Sequence, residues 1–474
     1  MTTSSTSPVS VASGTSAGAA GGSVINVSTL VSELVAATQA PQESLIQSQT
    51  TAATTEISAV GTLKSALSSF QSALTPLSTP SAFNALTASS SDKTIFTAAA
   101  GTGAVPGSYS IQVSSLASAQ QLLSGPFAGG GSAVVGTGTL TLSLGGGSFN
   151  VTIDGSNDTV AGIAGAINSA SGNPGVTAAI VTGSDGAHLV LSSSLTGAAN
   201  TIQVSETDGG TALSALTYGS GNTGNYTQET AAQDASFSVA GVAYTSATNS
   251  VSDALSGVTL DLLGVSPSNT SATLTVANDT STIESNVQAF VAAYNTLQSS
   301  LTGLGSYDAT SGTAGPLQGN PLLSNVQNRI RETLYSLVGS SSYNSLASVG
   351  ITSNADGSLA LNSATLSAAL SSNYSAVSAL FSSTNGIAAA LNSQIGADLA
   401  SGGSVPSTEQ TLTTQINALS KQSADLNTQM QALSASLTQQ YSALNALLSS
   451  LQTTSSYLSQ AFASLPTVQG KSNG

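Results

Sequence analysis

Residues 412–465 read LTTQINALSKQSADLNTQMQALSASLTQQYSALNALLSSLQTTSSYLSQAFASL. Leu412, Ile416, Leu419, Leu426, Met430, Leu433, Leu437, Tyr441, Leu444, Leu448, Leu451, Leu458, Phe462 and Leu465 follow one another mostly at steps of three and four. Ser423 and Ser455 fill the two skipped positions. That spacing is a heptad seam of about seven heptads. It predicts one long helix over 406–465, with Ser407 and Gln410 placed as a capping box. At 1.5 Å per residue the seam would be roughly 80 Å long.

A helix with one apolar stripe cannot bury that stripe alone; it needs a partner. The matching stripe stands at the other end of the chain. Leu30, Val31, Leu34 and Val35 have helical spacing after Ser28, a candidate N-cap. Pro41 is expected to break or restart that helix. A second run carries Ile57, Val60, Leu63, Leu67, Phe70 and Leu74 and closes at Pro76 and Pro80. The resulting fold class is α+β and multidomain: a terminal α-helical coiled-coil stalk formed by both chain ends, with antiparallel β-rich head domains inserted. Two unrelated helical domains flanking a β domain are the plainer alternative.

Between the stripes, from about residue 85 to 277, the chain alternates with period two and is rich in Gly, Thr and Val. Tyr109 to Val113, Leu140 to Leu144, Phe149 to Ile153, His188 to Leu191, Ile202 to Val204, Phe237 to Val239 and Leu274 to Val276 read as short strands. One helix interrupts them, with Val160, Ile163, Ala166 and Ile167 on one face. Helical periodicity returns at Ile283, Val287, Phe290, Val291, Tyr294 and Leu297, and again over Asn325 to Leu337 and Leu366 to Phe381. Asp356-Gly357, between Ile351 and Leu359, marks a hairpin. The expected organisation is a disordered tail 1–23, an N-terminal helical leg 24–85 and a first β head from 86–118 with 231–277. A second β head 119–230, a helical region 278–405, the long helix 406–465 and a tail 466–474 complete it.

Composition narrows the functions. The chain has 474 residues, a net charge of −15, only 6% charged residues and six Lys and Arg in all. So few cations exclude phosphate-backbone binding and disfavour anionic membranes. There is no cysteine, which removes disulfides, thiolate metal sites and cysteine nucleophiles. No Sec signal peptide and no uninterrupted apolar span is visible, so no membrane insertion is expected. With 40% apolar residues but 4% aromatic and no Trp, the cores must be aliphatic. Low charge also predicts an assembly that depends weakly on pH and salt.

No motif carries chemistry. Gly14-Thr15-Ser16-Ala17-Gly18 matches a nucleophile elbow but lies in a low-complexity tail without the strand and helix that elbow needs. His188 is the single histidine and reads as a turn-flanking surface residue. Asp154, Ser156 and Asp158 occupy three positions of a calcium loop, but Thr159 and Gly165 stand where Gly and Glu are required, so an Asx turn is the better reading. The Gly runs at 129–131 and 145–147 read as loops. Glu332 is placed to meet Arg329 on an exposed helix face. Neither an enzymatic activity nor a cofactor or metal is expected.

Several stretches resemble the flagellar hook-associated protein 2 family, the filament cap family FliD. They are Ile25 to Ala37 followed by Pro41, Ile57 to Leu67, Gly257 to Leu260, Phe290 to Asn295, Gly350-Ile351, Asp356 to Leu359 and Ser455 to Leu458. The stretch 136–204, through Phe149-Asn150-Val151 and Ala166-Ile167-Asn168, is similar to a repeat shared by flagellins and cap proteins. The resemblance implies a ring of five or six copies at the distal tip of a bacterial flagellum, outside the cell. It implies flagellin, hook–filament junction proteins and a flagellar export chaperone as partners, and export by the flagellar type III apparatus. Host glycan or mucin is a further partner if the head is adhesive. Assembly contacts are expected on the terminal helix faces. These carry Leu30, Val31, Leu34, Val35, Ile57, Leu63, Leu67 and Phe70 at one end. At the other stand Leu433, Leu437, Leu444, Leu451, Tyr457, Leu458, Phe462 and Leu465. A flagellin-like or junction subunit, and a tip adhesin, stay open as alternatives.

Overall fold

The computed structural model describes residues 26–207, 212–268, 270–310, 312–339 and 342–464. Helix α1 spans Val27–Leu74 and helix α8, the last, spans Ser404–Ala463. Between them lie α2 (Val160–Ser169), α3 (Thr280–Gly305), α4 (Pro321–Leu334), α5 (Ser363–Ser372), α6 (Tyr374–Ser382) and α7 (Ile387–Leu399).

Four readings of helix ends need correction. Pro41 sits inside α1 and does not break it. Proline removes one N–H rung, but Val31 before it and Ala53 onward are buried and hold the helix from both sides. The N-cap is Asn26, whose side chain accepts from Thr29 N; Ser28 lies inside the first turn. Helix α8 begins before Ser407, whose hydroxyl donates to Gly402 O, so there is no capping box. Gly403 is the N-cap, and a Cβ there would meet Ala397 O at 2.3 Å. The single helix read over 366–381 is two helices, because Asn373 leaves helical geometry and caps α6 through Ala376 N.

One core fills the helical part. Val60, Leu63, Leu67, Phe70 and Leu74 of α1 pack with Val287, Phe290 and Leu297 of α3, Phe381 of α6, Leu391 and Ile395 of α7, and Val405 and Leu412 of α8. The 351–353 and 359–361 strands pair as the expected hairpin. Asn295 fastens it to α3 by accepting from Leu359 N and donating to Leu359 O.

The first β body is a five-stranded antiparallel sheet faced by a three-stranded one. The five strands run Leu86–Ser90, Ala272–Asn278, Gly107–Ser115, Ala235–Val239, Val242–Ser246 in spatial order. The three are Ser250–Leu255, Val258–Leu262 and Phe96–Ala100. Phe96, Ile111, Phe237, Leu260 and Leu274 fill the space between. The chain enters this body at Leu86 and leaves at Asn278, and these two residues are partners across neighbouring strands.

The second β body repeats that logic. The chain leaves the first sheet after Ser115 and returns at Ser236, its cross-strand partner. The excursion forms a four-stranded sheet (Tyr226–Thr230, Ala119–Ser124, Gly186–Thr196, Val176–Gly183) and a three-stranded one (Gly147–Ile153, Gly138–Leu144, Ile202–Glu206). With α2 they enclose Leu122, Leu142, Phe149, Ile163 and Leu191. Each insertion starts and ends on adjacent strands, so each adds a separate core, and where the second returns the pairing shifts register between Ser236 and Phe237.

Candidate assembly surface

Helices α1 and α8 lie side by side and run in opposite directions. Gln39 Nε2 donates to Asn427 Oδ1 at 3.0 Å, while Lys64 Nζ meets Glu409 at 2.9 Å, so numbers rise on one helix as they fall on the other. On α8 the buried seam residues are Leu412, Leu419 and Leu426, seven apart. On α1 the matching row is Gln39, Ile46, Ala53, Val60, Leu67 and Leu74, also seven apart, half-buried at the start and buried from Ala53 on. Sequence reasoning does not reach Ile46 and Ala53, because Pro41 reads as a break; the step of seven that runs straight through it is the signal that finds them.

The candidate assembly residues fall into two groups. Leu63, Leu67 and Phe70 have no exposed surface and Ile57 is half-buried against the same core. Any assembly role for them therefore runs through the core they hold. Val31 is buried and Val35, Leu433 and Leu437 are half-buried. Leu30 (38%), Leu34 (41%), Leu444 (41%), Leu451 (57%), Leu458 (50%) and Phe462 (69%) are exposed. Tyr457 is exposed too, but it stands about 100° around the helix from Leu458 and leaves the seam. Leu465 lies outside the described residues, as do the 1–23 tail, the elbow-like Gly14–Gly18 match and the 466–474 tail. Leu447, exposed beside Leu448, was not anticipated.

The remaining polar groups are structural. Arg329 pairs with the buried carboxylate of Asp398, not with Glu332, and Ser404 Oγ donates to the same carboxylate at 2.8 Å. The cluster ties α4 and α7 to the first residue of α8. At 154–158, Asp154 Oδ1 accepts from Ser156 Oγ at 2.6 Å and Ser156 N at 2.9 Å. The hydroxyl bond, then the amide, hold its carboxyl below the usual range, as an Asx turn should. Among the described residues no group of three or more His, Cys, Asp and Glu is placed to hold a metal. None of their helices is long and apolar enough to cross a membrane.

His188 offers one measurable consequence. Its Nδ1 lies 2.7 Å from Ser124 O and its Nε2 lies 3.2 Å from Asp185 Oδ1. Both partners are acceptors, and only the imidazolium donates from both nitrogens. The Ser124 carbonyl first, then Asp185, raise its pKa above 6.5. A raised histidine stabilises the fold fully below the unfolded value, and that contribution disappears as pH climbs through the folded value. NMR titration of the ring is expected to place its midpoint above 6.5, with Asp185→Asn moving it down. A midpoint at or below 6.5 would contradict the geometry.

Family models match three segments in order along this architecture. The flagellar hook-associated protein 2 N-terminus matches residues 23–120, the flagellin hook IN motif 139–195 and the flagellar hook-associated protein 2 C-terminus 232–453. The chain is 34% identical over 392 residues to the B-type flagellar hook-associated protein 2 of Pseudomonas aeruginosa, covering 79% of this chain and 82% of that one. It is 34% identical over 417 residues to flagellar hook-associated protein 2 of Escherichia coli, covering 84% and 88%. Its fold is similar to the crystal structure of the D1-D2-D3 domains of the Escherichia coli flagellar cap protein FliD. The TM-score is 0.57 at 33% identity, over 75% of this chain and 99% of that one. With its helical ends, nested β heads and matched segments in this order, the chain belongs to the flagellar hook-associated protein 2 (FliD) family, a family of structural flagellar cap proteins and not of enzymes.

Proposed function

We propose that this chain caps the distal end of a flagellar filament as a homo-oligomer of five or six copies. The cap promotes folding and insertion of arriving flagellin and prevents its loss to the medium. Residues 24–85 and 278–465 form the legs, with α1 and α8 as a coiled-coil stalk, and the two β bodies form the plate. The work is steric: flagellin is confined while it folds. The chain reaches the tip through the flagellar type III apparatus with a dedicated chaperone, and its legs meet flagellin and the junction proteins.

The observation that carries this reading is the apolar row left uncovered on distal α8. Leu444, Leu451, Leu458 and Phe462 sit at the end of a helix whose proximal seam is satisfied by α1. An exposed row of this kind marks an interaction surface. An adhesive role toward anionic mucin is not favoured, because residues 119–230 contain Asp154, Asp158, Asp185, Glu206, Asp208 and Glu229 but no Lys or Arg.

Deleting the gene and immunoblotting flagellin in sheared filaments and in culture supernatant tests the proposal. Flagellin is expected to leave the filament fraction and appear in the medium. Flagellin still polymerised on the cells would exclude a cap.

A further inference from the structure

The strand Val176–Gly183 is the outer strand of the four-stranded sheet and pairs only with Gly186–Thr196. Its hairpin closes with Gly183 opposite Gly186, so Thr177, Ala179, Val181 and Gly183 bond across the ladder. The N–H and C=O groups of Val176, Ala178, Ile180 and Thr182 therefore point away from the sheet. An outer row of this kind is a template for another strand. Here its sequence favours pairing with itself: Val176-Thr177-Ala178-Ala179-Ile180-Val181-Thr182 holds no charge, Pro or Gly, and five of the seven residues are β-branched. Lys often blunts such edges, but no Lys or Arg stands between Lys93 and Arg329.

Two asparagines take the place of a neighbouring strand. Asn168, in the last turn of α2, donates from Nδ2 to Ala178 O at 2.7 Å and accepts at Oδ1 from Ala178 N at 2.8 Å. Asn173, in the turn that follows, donates to Val176 O at 2.7 Å and accepts from Val176 N at 2.8 Å. Each carboxamide makes the two bonds that one residue of an added strand would make. Asn173 also donates to Ile167 O and accepts from Gly175 N, so the turn 170–175 is tied to the helix as well as to the edge. The core contacts of α2 come from Val160, Ile163 and Ile167, which leaves both carboxamides to the edge.

Beyond Ala178 the row is open. None of the hydrogen bonds among the described residues reaches the outward groups of Ile180 or Thr182, and Thr182 is exposed. The span from Ile180 to Thr182 is at the short limit of strands, whereas release of Val176 and Ala178 would lengthen it past the usual strand of about 5–6 residues.

We propose that Asn168 and Asn173 keep this edge closed to the same strand of a second copy, so that β bodies standing side by side do not join sheet to sheet. The inference does not rest on capping, since it holds for any two copies that meet in solution.

Three full-length proteins test it: the unsubstituted chain, Asn168→Ala with Asn173→Ala, and that pair combined with Thr182→Pro. Proline at 182 removes an outward N–H and no ladder bond, so it blocks an added strand and spares the sheet. Mass would be followed by light scattering over a concentration series, and amide protection by hydrogen exchange. The paired Ala variant is expected to lose protection at Val176 and Ala178 and to associate at concentrations where the unsubstituted chain keeps its mass. Adding Thr182→Pro is expected to return the mass to that of the unsubstituted chain. An unchanged mass in the paired Ala variant, or an association that the proline leaves intact, would overturn the inference. Protection lost around Leu142 as well would mean that the second β body no longer folds. Asn168→Ala alone, with Asn173 still holding Val176, then carries the same expectations with and without Thr182→Pro.

Discussion

Leu458→Asp is expected to abolish filament growth while shifting the monomer's own unfolding by no more than about 0.5 kcal/mol. The separation follows from where Leu458 stands. It is half exposed on α8, well past the level at which α1 ends, so an Asp there is hydrated in the isolated chain. Once the distal seam is buried in an assembly, every copy brings a carboxylate into an apolar contact with no cation near it, since no Lys or Arg stands between Lys421 and Lys471. Burial of an unpaired charge costs several kcal/mol per copy. The measurements are filament counts by electron microscopy and flagellin in the supernatant, beside a circular-dichroism melt of the purified variant. Normal filaments would show that this end of α8 is not buried in assembly. A collapsed melt would show that Leu458 serves the monomer instead.

The parts of the fold that were legible in the sequence are those where a period is long and uninterrupted. The α8 seam is readable because Leu412, Leu419 and Leu426 recur without a breaker, and the strands around Leu140, Phe149 and Leu274 alternate cleanly with Gly-rich turns between them. What failed was local punctuation. Pro41 looks like a stop, but tertiary burial on both sides overrides one lost rung. Asn373 looks like an ordinary polar residue within a helical run, yet it accepts from Ala376 N and starts a new helix. Arg329 looks like half of an exposed pair with Glu332, but its partner Asp398 lies 69 residues away, on α7, beyond the reach of any periodicity argument. The candidate surface was legible as a seam, not as two seams. Which leucines meet α1 and which stay uncovered depends on where α1 ends in space.

The low charge of the helices has a structural counterpart. Thr50, Thr54, Ser58 and Thr62 of α1 donate to carbonyls four residues back, and Thr408, Thr411, Thr428 and Thr438 do the same on α8. A hydroxyl folded onto its own backbone leaves a small, nearly neutral surface, and among the described residues Lys64–Glu409 is the one ion pair between α1 and α8. Such a surface supplies little partner specificity of its own. The apolar seam must therefore supply it.

Phe70→Ala is expected to cost about 3–5 kcal/mol, and to do so in the monomer. Phe70 has no exposed surface and stands where α1 crosses α3, its ring centroid 5.8 Å from Phe290 and 5.9 Å from Tyr294. Phe290 in turn meets Phe381 of α6 at 6.4 Å, so truncation removes the α1 link of an aromatic chain joining three helices. Aromatic pairs add about 0.5–1.5 kcal/mol each beyond the area they bury. Against a typical stability of about 5–15 kcal/mol the loss is large. It should also be local, because the two β bodies have cores that share no residue with this one. Denaturant melts followed by circular dichroism at the helical band should show the helical transition move to lower denaturant. Hydrogen exchange of the strand amides around Leu142 and Leu260 should stay protected. An unmoved helical transition would mean that the core closes around the missing ring. Capping would fail in Phe70→Ala as in Leu458→Asp, but through a leg that no longer folds; the melt separates a residue that builds the leg from one that the leg presents.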